Sequence, residues 1–394
     1  MGEWKEVELS AIADVQTGPF GSQLHASDYV PVGVPVIMPN NIGQRLTLNE
    51  ANMNYITEAD ATRLARYKVR ENDIVFSRRG DVDKCILIDA RKAGWFCGTG
   101  CLFARLNSKV IDPTFVAYQF DSPELKNWLR TNAVGTTMPN LNSKILERAP
   151  VALPDLPEQR AIASVLSSLD AKIDLLHRQN KTLEGMAEAL FRQWFVEEAE
   201  ENAAEGTLAD VAVNIRDGVP VNAFNVDDRY VALEHIDRRR IALLQYGSSA
   251  DVASNKYRFQ ANDILFGKLR PYFHKVCLTS FAGICSTDIL VIRPKRPELL
   301  YYCLFAFFQD EVVEYANAGS GGTRMPRTSW SDLSKYPIAL PGKERLEAFN
   351  KVVKPMIEKL QANIPQIQSL TALRDTLLPK LMSGEVRVEG EVLV

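Results

Sequence analysis

Cysteine is scarce in this sequence, and none of the six cysteines forms a CxxC pair. Cys85, Cys97, Cys101, Cys277, Cys285 and Cys303 are expected to be buried, reduced thiols rather than a disulfide framework or a zinc cage. His25, His177, His235 and His274 lie far apart and show no metal-ligand spacing, so no metal site is expected. No apolar run reaches the ~18 residues of a membrane-spanning helix, and the first ten residues are too polar for a secretion signal. A soluble, cytoplasmic chain with no membrane contact is the expectation. There is no GxxxxGK[ST] loop, which excludes a P-loop nucleotide site. The segment from Gly319 to Thr323 is glycine-rich but lacks the lysine. It is expected to be a flexible loop, or backbone that approaches a phosphate or a base edge. No set of residue types suggests nucleophilic or acid–base catalysis.

A large excess of positive charge is missing too, with a net charge of −3. Its distribution matters more than its sum. Between Asp155 and Glu205 there are 11 acids against 5 Lys and Arg, a local −6 that leaves +3 for the rest of the chain. Screening limits the reach of a charge to about 8–10 Å, so a phosphate would feel the local excess and not the total. The chain has 394 residues, 46% of them hydrophobic and 24% charged, which supports two or three domains with cores of their own.

The strongest signal present is a long-period repeat. Asn72-Asp73-Ile74 and Asn262-Asp263-Ile264 lie 190 residues apart inside the similar stretches YKVRENDIVF and YRFQANDILF. Cys97-Gly-Thr99 matches Cys285-Ser-Thr287 at an offset of 188. Gly135-Thr-Thr-Met-Pro139 matches Gly322-Thr-Arg-Met-Pro326, and Val151-Ala-Leu-Pro154 matches Ile338-Ala-Leu-Pro341, both at 187. Order and spacing persist, and the slow drift is that of small loop deletions. Each copy opens with a β-rich stretch of short apolar runs split by Gly, Pro and Asn, and each ends in a helical segment. The boundaries expected from this are a first domain over 1–154, a central helix over 155–203, a second domain over 204–341, a C-terminal helix over 342–384 and a tail over 385–394.

The central segment carries a heptad seam through Ile162, Leu166, Leu169, Ile173, Leu176, Asn180, Leu183, Ala187, Leu190 and Trp194. Asn180 falls at a seam position, where an amide fixes register at some cost in stability. Helix from about Glu158 to Glu198 would be roughly 60 Å long, and a helix of that length needs a partner. The second seam is less regular. Phe349, Val353, Met356, Leu360, Ile367, Leu370, Leu377 and Leu381 fit it, Asn363 and Arg374 intrude, and Pro355 and Pro365 are expected to kink or interrupt the helix. Two seams in one chain point to an antiparallel coiled-coil rod with a β-rich domain at each end, related by an internal pseudo-twofold repeat, in the α+β class.

The stretch LPEQRAIASVLSSLDAKIDLLHRQNKTLEGMAEALFRQWF, Leu156 to Phe195, resembles the central helical region of type I restriction-modification specificity subunits. LLPKLMSGEVRV, from Leu377 to Val388, is similar to their C-terminal helical region, although PGKERLEAF stands where the first copy has PDLPEQRAI. The resemblance implies two target-recognition domains that read the halves of a split double-stranded DNA target in the major groove, with the helices as a ruler between them. It implies a non-catalytic chain without cofactors of its own. Two modification subunits would supply adenine methylation with S-adenosylmethionine, and restriction or translocase subunits would supply ATP- and magnesium-dependent cleavage. The alternative is a self-contained DNA methyltransferase or nuclease, against which the missing cofactor and P-loop motifs argue. A methyltransferase of the implied type would carry an Asn/Asp-Pro-Pro-aromatic motif that grips the flipped base. The nearest segment, Asp112-Pro-Thr-Phe115, lacks the second proline and reads as a helix cap. A structural coiled coil with no DNA role would not need duplicated basic domains.

Candidate DNA contacts are the basic and amide residues at repeat-equivalent places. Arg78, Arg79, Lys268 and Arg270 follow the two Asn-Asp-Ile strands, and Thr136, Thr137, Asn140, Arg324 and Arg327 flank the two Met-Pro turns. Arginine can pair with guanine O6 and N7, and asparagine with adenine N6 and N7. The run Arg238-Arg239-Arg240 is expected to be a phosphate clamp or an exposed hairpin tip. The seam residues Leu166, Leu169, Ile173, Leu176, Asn180, Leu183, Leu190 and Trp194 are the candidates for helix and partner contacts.

Overall fold

A computed structural model describes residues 4–107, 111–135, 137–198, 204–225, 227–319 and 325–388. It divides into two compact units, Met1–Ala171 with Thr371–Val394, and Lys172–Leu370. Each unit contains one β-rich stretch and a portion of both long helices.

In the first unit, strand Lys5–Glu8 pairs antiparallel with Pro150–Leu153 and joins the start of the β-rich stretch to its end. A four-stranded antiparallel sheet runs in the order Ala13–Thr17, Cys101–Leu106, Ile74–Ser77, Cys85–Leu87. Its central strand, Ile74–Ser77, is buried throughout, which explains the apolar run after Asn72-Asp73. A second sheet orders Tyr29–Val30, Asn54–Ile56, Val34–Ile37 and Phe96–Cys97, the last pair parallel. Helix Pro113–Asp121 packs Phe120 edge-on against Phe76 at 4.8 Å. The Asp112 carboxylate accepts the Phe115 N–H at 2.9 Å, and Pro113 occupies the first turn, so this segment is the helix cap its residue types suggest. Ile162 and Leu166 of the central helix and Leu378 and Leu381 of the C-terminal helix complete the same core.

The second unit repeats the plan. Glu205–Thr207 pairs with Pro337–Ala339, and a sheet runs Ala212–Ile215, Ile289–Pro294, Ile264–Gly267, Val276–Leu278. The accompanying sheet has five strands instead of four. Gly247–Ser248 flanks Arg229–Val231 as Asn54–Ile56 flanks Val34–Ile37, and Lys256–Phe259 and Gly218–Val219 extend the sheet beyond Gly283–Cys285. An aromatic core joins Phe191 and Phe195 to Tyr302, Phe305 and Phe349.

The central helix spans Leu156–Arg192 and ends in a π turn, Gln193–Glu197. The C-terminal helix spans Lys343–Met382 without interruption at Pro355 or Pro365. A proline inside a helix costs about 3 kcal/mol. Here the residues on the buried side, Val353, Ile357, Leu360, Ile364 and Ile367, are almost fully buried and hold the helix through both.

Within each unit the two helices run antiparallel. In the second, Trp194 faces Phe349 and Asn180 faces Asn363. In the first, Asp170 faces Arg374, whose Nη1 donates to it at 2.7 Å. The two intruders in the second seam are therefore the polar partners of the first. Of the expected seam, Leu166, Ile173, Leu176 and Asn180 are buried, and Leu169 is half-buried. Past Asn180 the buried stripe moves to Glu184, Ala187, Phe191 and Phe195, while Leu183, Leu190 and Trp194 sit half-buried at its edge. That spacing follows the 3.6-residue turn of a straight helix rather than a strict heptad, because this end packs into the aromatic core as well as against its partner.

Candidate nucleic-acid interface

The duplicated Asn-Asp pair builds a turn. Asn72 and Asn262 adopt left-handed backbone, with φ of 71° and 69°, a conformation asparagine tolerates better than most residues. The next residue caps the turn from inside. Asp73 accepts the Arg70 N–H at 2.8 Å and two N–H groups of Arg105 at 2.9 and 2.7 Å. Asp263 accepts the Gln260 N–H at 2.7 Å and two N–H groups of Arg293, both at 2.7 Å. Arg105 and Arg293 lie 188 residues apart, a match within the repeat that their differing flanking residues hide in the sequence.

The strand launched by this turn delivers the basic residues. In the first unit the Met-Pro segment docks on them, with the Leu141 N–H on the Arg78 carbonyl at 2.9 Å and the Gly80 N–H on the Pro139 carbonyl at 3.1 Å. In the second, the Thr328 N–H donates to the Lys268 carbonyl at 3.1 Å and the Arg270 N–H to the Pro326 carbonyl at 2.8 Å. The third repeated segment arrives at the same place, since the Arg78 N–H donates to Gly100 and the Lys268 N–H to Asp288, both at 2.8 Å. The repeats that follow the Asn-Asp-Ile, Cys-x-Thr and Met-Pro signatures thus converge on one surface in each unit, through equivalent backbone hydrogen bonds.

The side chains differ between the copies. In the first unit Arg78 is half-buried, donates from Nε to the Leu141 carbonyl at 3.2 Å and lies 5.8 Å over the Phe20 ring. Burial and then the Arg79 charge push its pKa down. Arg79 and Thr137 are exposed, and Asn140 is half-buried. A groove runs between Phe20-Gly21 and Arg78-Arg79, over Met38-Pro39 and Thr99-Gly100. Gly135 needs its φ of 105°, and a Cβ there would stand 2.8 Å from the Met138 carbonyl. In the second unit Lys268 is half-buried. Burial lowers its pKa, Asp288 opposes that, and Arg327 adds to it. Arg327 is exposed and 3.3 Å from Asp288. Arg270 is left-handed at φ 52° and lies 6.0 Å over Phe273. Met138 and Met325 are both exposed beside these groups. Thr136, Arg324 and the loop 320–323 lie outside the described residues.

The arginine run behaves otherwise than its charge suggests. Arg239 is ion-paired to Glu188 and Asp310, Arg240 is 3.2 Å from Glu184, and Arg238 stacks 3.9 Å over Phe273. Acids 51–71 residues away in sequence neutralise two members of the run, so it is neither an open phosphate clamp nor a free hairpin tip.

These surfaces offer donors, positive charge and apolar tips, the chemistry that meets phosphates and base edges. The description "Type I restriction modification DNA specificity domain" matches residues 1–185 and 241–368. The chain belongs to the type I restriction-modification DNA-specificity family. It is 26% identical over 304 residues to the MjaIX specificity subunit of Methanocaldococcus jannaschii, covering 70% of this chain and 69% of that one. It is 23% identical to the HindI specificity subunit of Haemophilus influenzae, over 98% of this chain and all of that one. The crystal structure of an S subunit from M. genitalium superposes with a TM-score of 0.63 at 17% identity, covering 96% of both chains, which supports the same fold. As a member of this family the chain is a DNA-recognition subunit and not the enzyme of its complex. The six thiols of the specificity subunit are buried, and burial pushes each thiol pKa up, away from a reactive thiolate. Among the described residues no group of His, Cys, Asp and Glu is arranged to hold a metal ion, and no helix is long and apolar enough to cross a membrane.

Proposed function

We propose that each β-rich stretch reads one half of a two-part duplex DNA target through the surface where its three repeated segments meet. That convergence carries the reading. Two duplicated sites with the same backbone frame and different side chains are what two readers of different base sequences require. Arg78, Arg79, Thr136, Thr137 and Asn140 face the first half-site, and Lys268, Arg270, Arg324 and Arg327 the second. The reading domains are 1–154 and 204–341, joined through the helices in 155–203 and 342–384, with 385–394 as a tail.

The partners follow from the same reading. Two modification subunits carry S-adenosylmethionine, restriction or translocase subunits carry ATP and magnesium, and the assembly works on DNA in the cytoplasm. The chain by itself supplies no cofactor and turns nothing over.

The test is a binding series with the assembled complex on single-base variants of both half-sites, at two salt concentrations. Arg327→Ala is expected to weaken binding by about 1–3 kcal/mol and relax one base pair of the second half-site only, if it grips a guanine. A uniform loss across sequences, with the salt slope reduced by about 1, would make it a phosphate contact. An effect confined to the first half-site would overturn the assignment of reader to repeat.

A further inference from the structure

Two arginines outside the recognition surfaces share a geometry that nothing in their local sequence announces. Arg45 lies in QRLTL and Arg239 in RRRIA. They are equivalent in the fold, each 8 residues after the strand residue, Ile37 or Val231, that pairs with Cys97 or Cys285. Both are left-handed, with φ of 56° and 52°. A side chain makes that conformation unfavourable, and glycine or asparagine would adopt it more readily.

What the arginines do with their side chains is the same. Arg45 places Nη1 3.2 Å from Asp121, at the end of a domain helix, and Nη2 3.1 Å from Asp375 on the C-terminal long helix. Arg239 places Nη1 2.9 Å from Asp310, at the start of a domain helix, and Nη2 3.0 Å from Glu188 on the central long helix. Asp375 and Glu188 are 187 residues apart, the offset of the repeat. Each guanidinium therefore spans from its own β-rich stretch to the long helix packed on that stretch. An isolated, partly exposed ion pair adds little stability. A strained arginine that bridges two acids on two elements, and does so twice, is placed for its direction rather than for stability.

We propose that Arg45 and Arg239 are positioning residues, each holding the angle between a reading domain and the helix that carries it. The inference rests on the two-reader proposal above. The arginines act on recognition through orientation and do not touch DNA. Their effect falls on the allowed distance between half-sites and not on the bases chosen within either.

The experiment uses the full chain in its complex. Duplexes carry the two half-sites selected by the wild type, separated by spacers of graded length. For Arg45→Met and for Arg239→Met, the preference for the best spacer over its neighbours is expected to fall roughly fivefold, near the ceiling for a part-exposed ion pair. Base preferences within both half-sites and the salt slope are expected to stay as in the wild type. The helix-side variants Glu188→Gln and Asp375→Asn carry the same expectation and serve if an arginine variant fails to fold. A spacer profile identical to wild type in a variant with an unchanged melt would reduce the contacts to ordinary surface ion pairs. Altered base preference, or a salt slope smaller by about one, would mean that the arginine touches DNA. A wild type that selects no two-part target would instead remove the recognition reading itself.

Discussion

Asp73 and Asp263 are almost completely buried, and each lies in the fork of an arginine that is a quarter to a third exposed. Removing one partner of such a pair strands the other and leaves part of the turn without its cap. Asp73→Asn is expected to lower the unfolding free energy by roughly 2–4 kcal/mol in urea denaturation. A loss below about 0.5 kcal/mol would show that a neutral amide serves the turn equally well. The sequence displays the two aspartates but not Arg105 and Arg293, which lie 32 and 30 residues further along and meet them only across the sheet. His274 makes a second prediction at this scale. Burial pushes its pKa down, against the pull of Asp310 at 3.1 Å and with the help of Arg239. The folded state then binds the histidine proton less readily than the unfolded chain. This contribution to stability is complete above the unfolded pKa of about 6.5 and is lost as pH falls through the lower folded value. His274→Gln is expected to flatten the acid side of a plot of Tm against pH. His177, whose pKa burial also lowers, keeps part of that slope in the variant. An unaltered slope would assign all of it to other groups.

Among the elements, the long helices were the most legible part of the chain and also the place where the outcome of a substitution changes once partners are known. Asn180 was readable as a register residue from its seam position. Its partner was not, because Asn363 looks like a flaw in an irregular seam. The Asn363 Nδ2 donates to Asn180 Oδ1 at 2.8 Å, and among the described residues Asn180 Nδ2 and Asn363 Oδ1 have no protein partner. Seam position alone suggests that Asn180→Leu stabilises the helix pair. With Asn363 fully buried opposite, the single variant is expected to cost about 1–3 kcal/mol, since it leaves a buried amide facing leucine. The double variant Asn180→Leu with Asn363→Leu is expected to be at least as stable as the wild type while losing its preference for one register. Thermal melts of the single variant, the double variant and the wild type decide this. A single variant more stable than the wild type would mean that the amides are not a working pair. The strands were legible by their apolar runs, but not Gly247–Ser248 of the second unit, which has too little apolar character to show.

For the whole molecule, both long helices continue from one unit into the other, which makes the ruler a testable idea. Deleting residues 173–179 alone would slide one helix against its partner. The antiparallel register, with Ile173 and Leu176 packed beside Ile367 and Leu370, shows that the matching deletion is 364–370. Removing both segments shortens each helix by about 10 Å. If the helices set the distance between half-sites, the preferred spacer of the complex is expected to shorten by about 3 base pairs at ~3.4 Å each, or activity to be lost through the accompanying rotation. Full activity on the original spacer would show that they do not. What the sequence determined by itself is the duplication, the helical seams, the turn chemistry of Asn72-Asp73 and Asn262-Asp263, and through these the family. Periodicity and turn preference act over a few residues and leave their mark locally, and the duplication wrote that mark twice. What only the tertiary structure decided is which groups stand together, such as Leu141 on Arg78, Arg105 on Asp73 and Asp375 on Arg45. These partners come from distant parts of the chain and are chosen by where the packed elements leave a donor facing an acceptor, a geometry that no stretch of sequence contains.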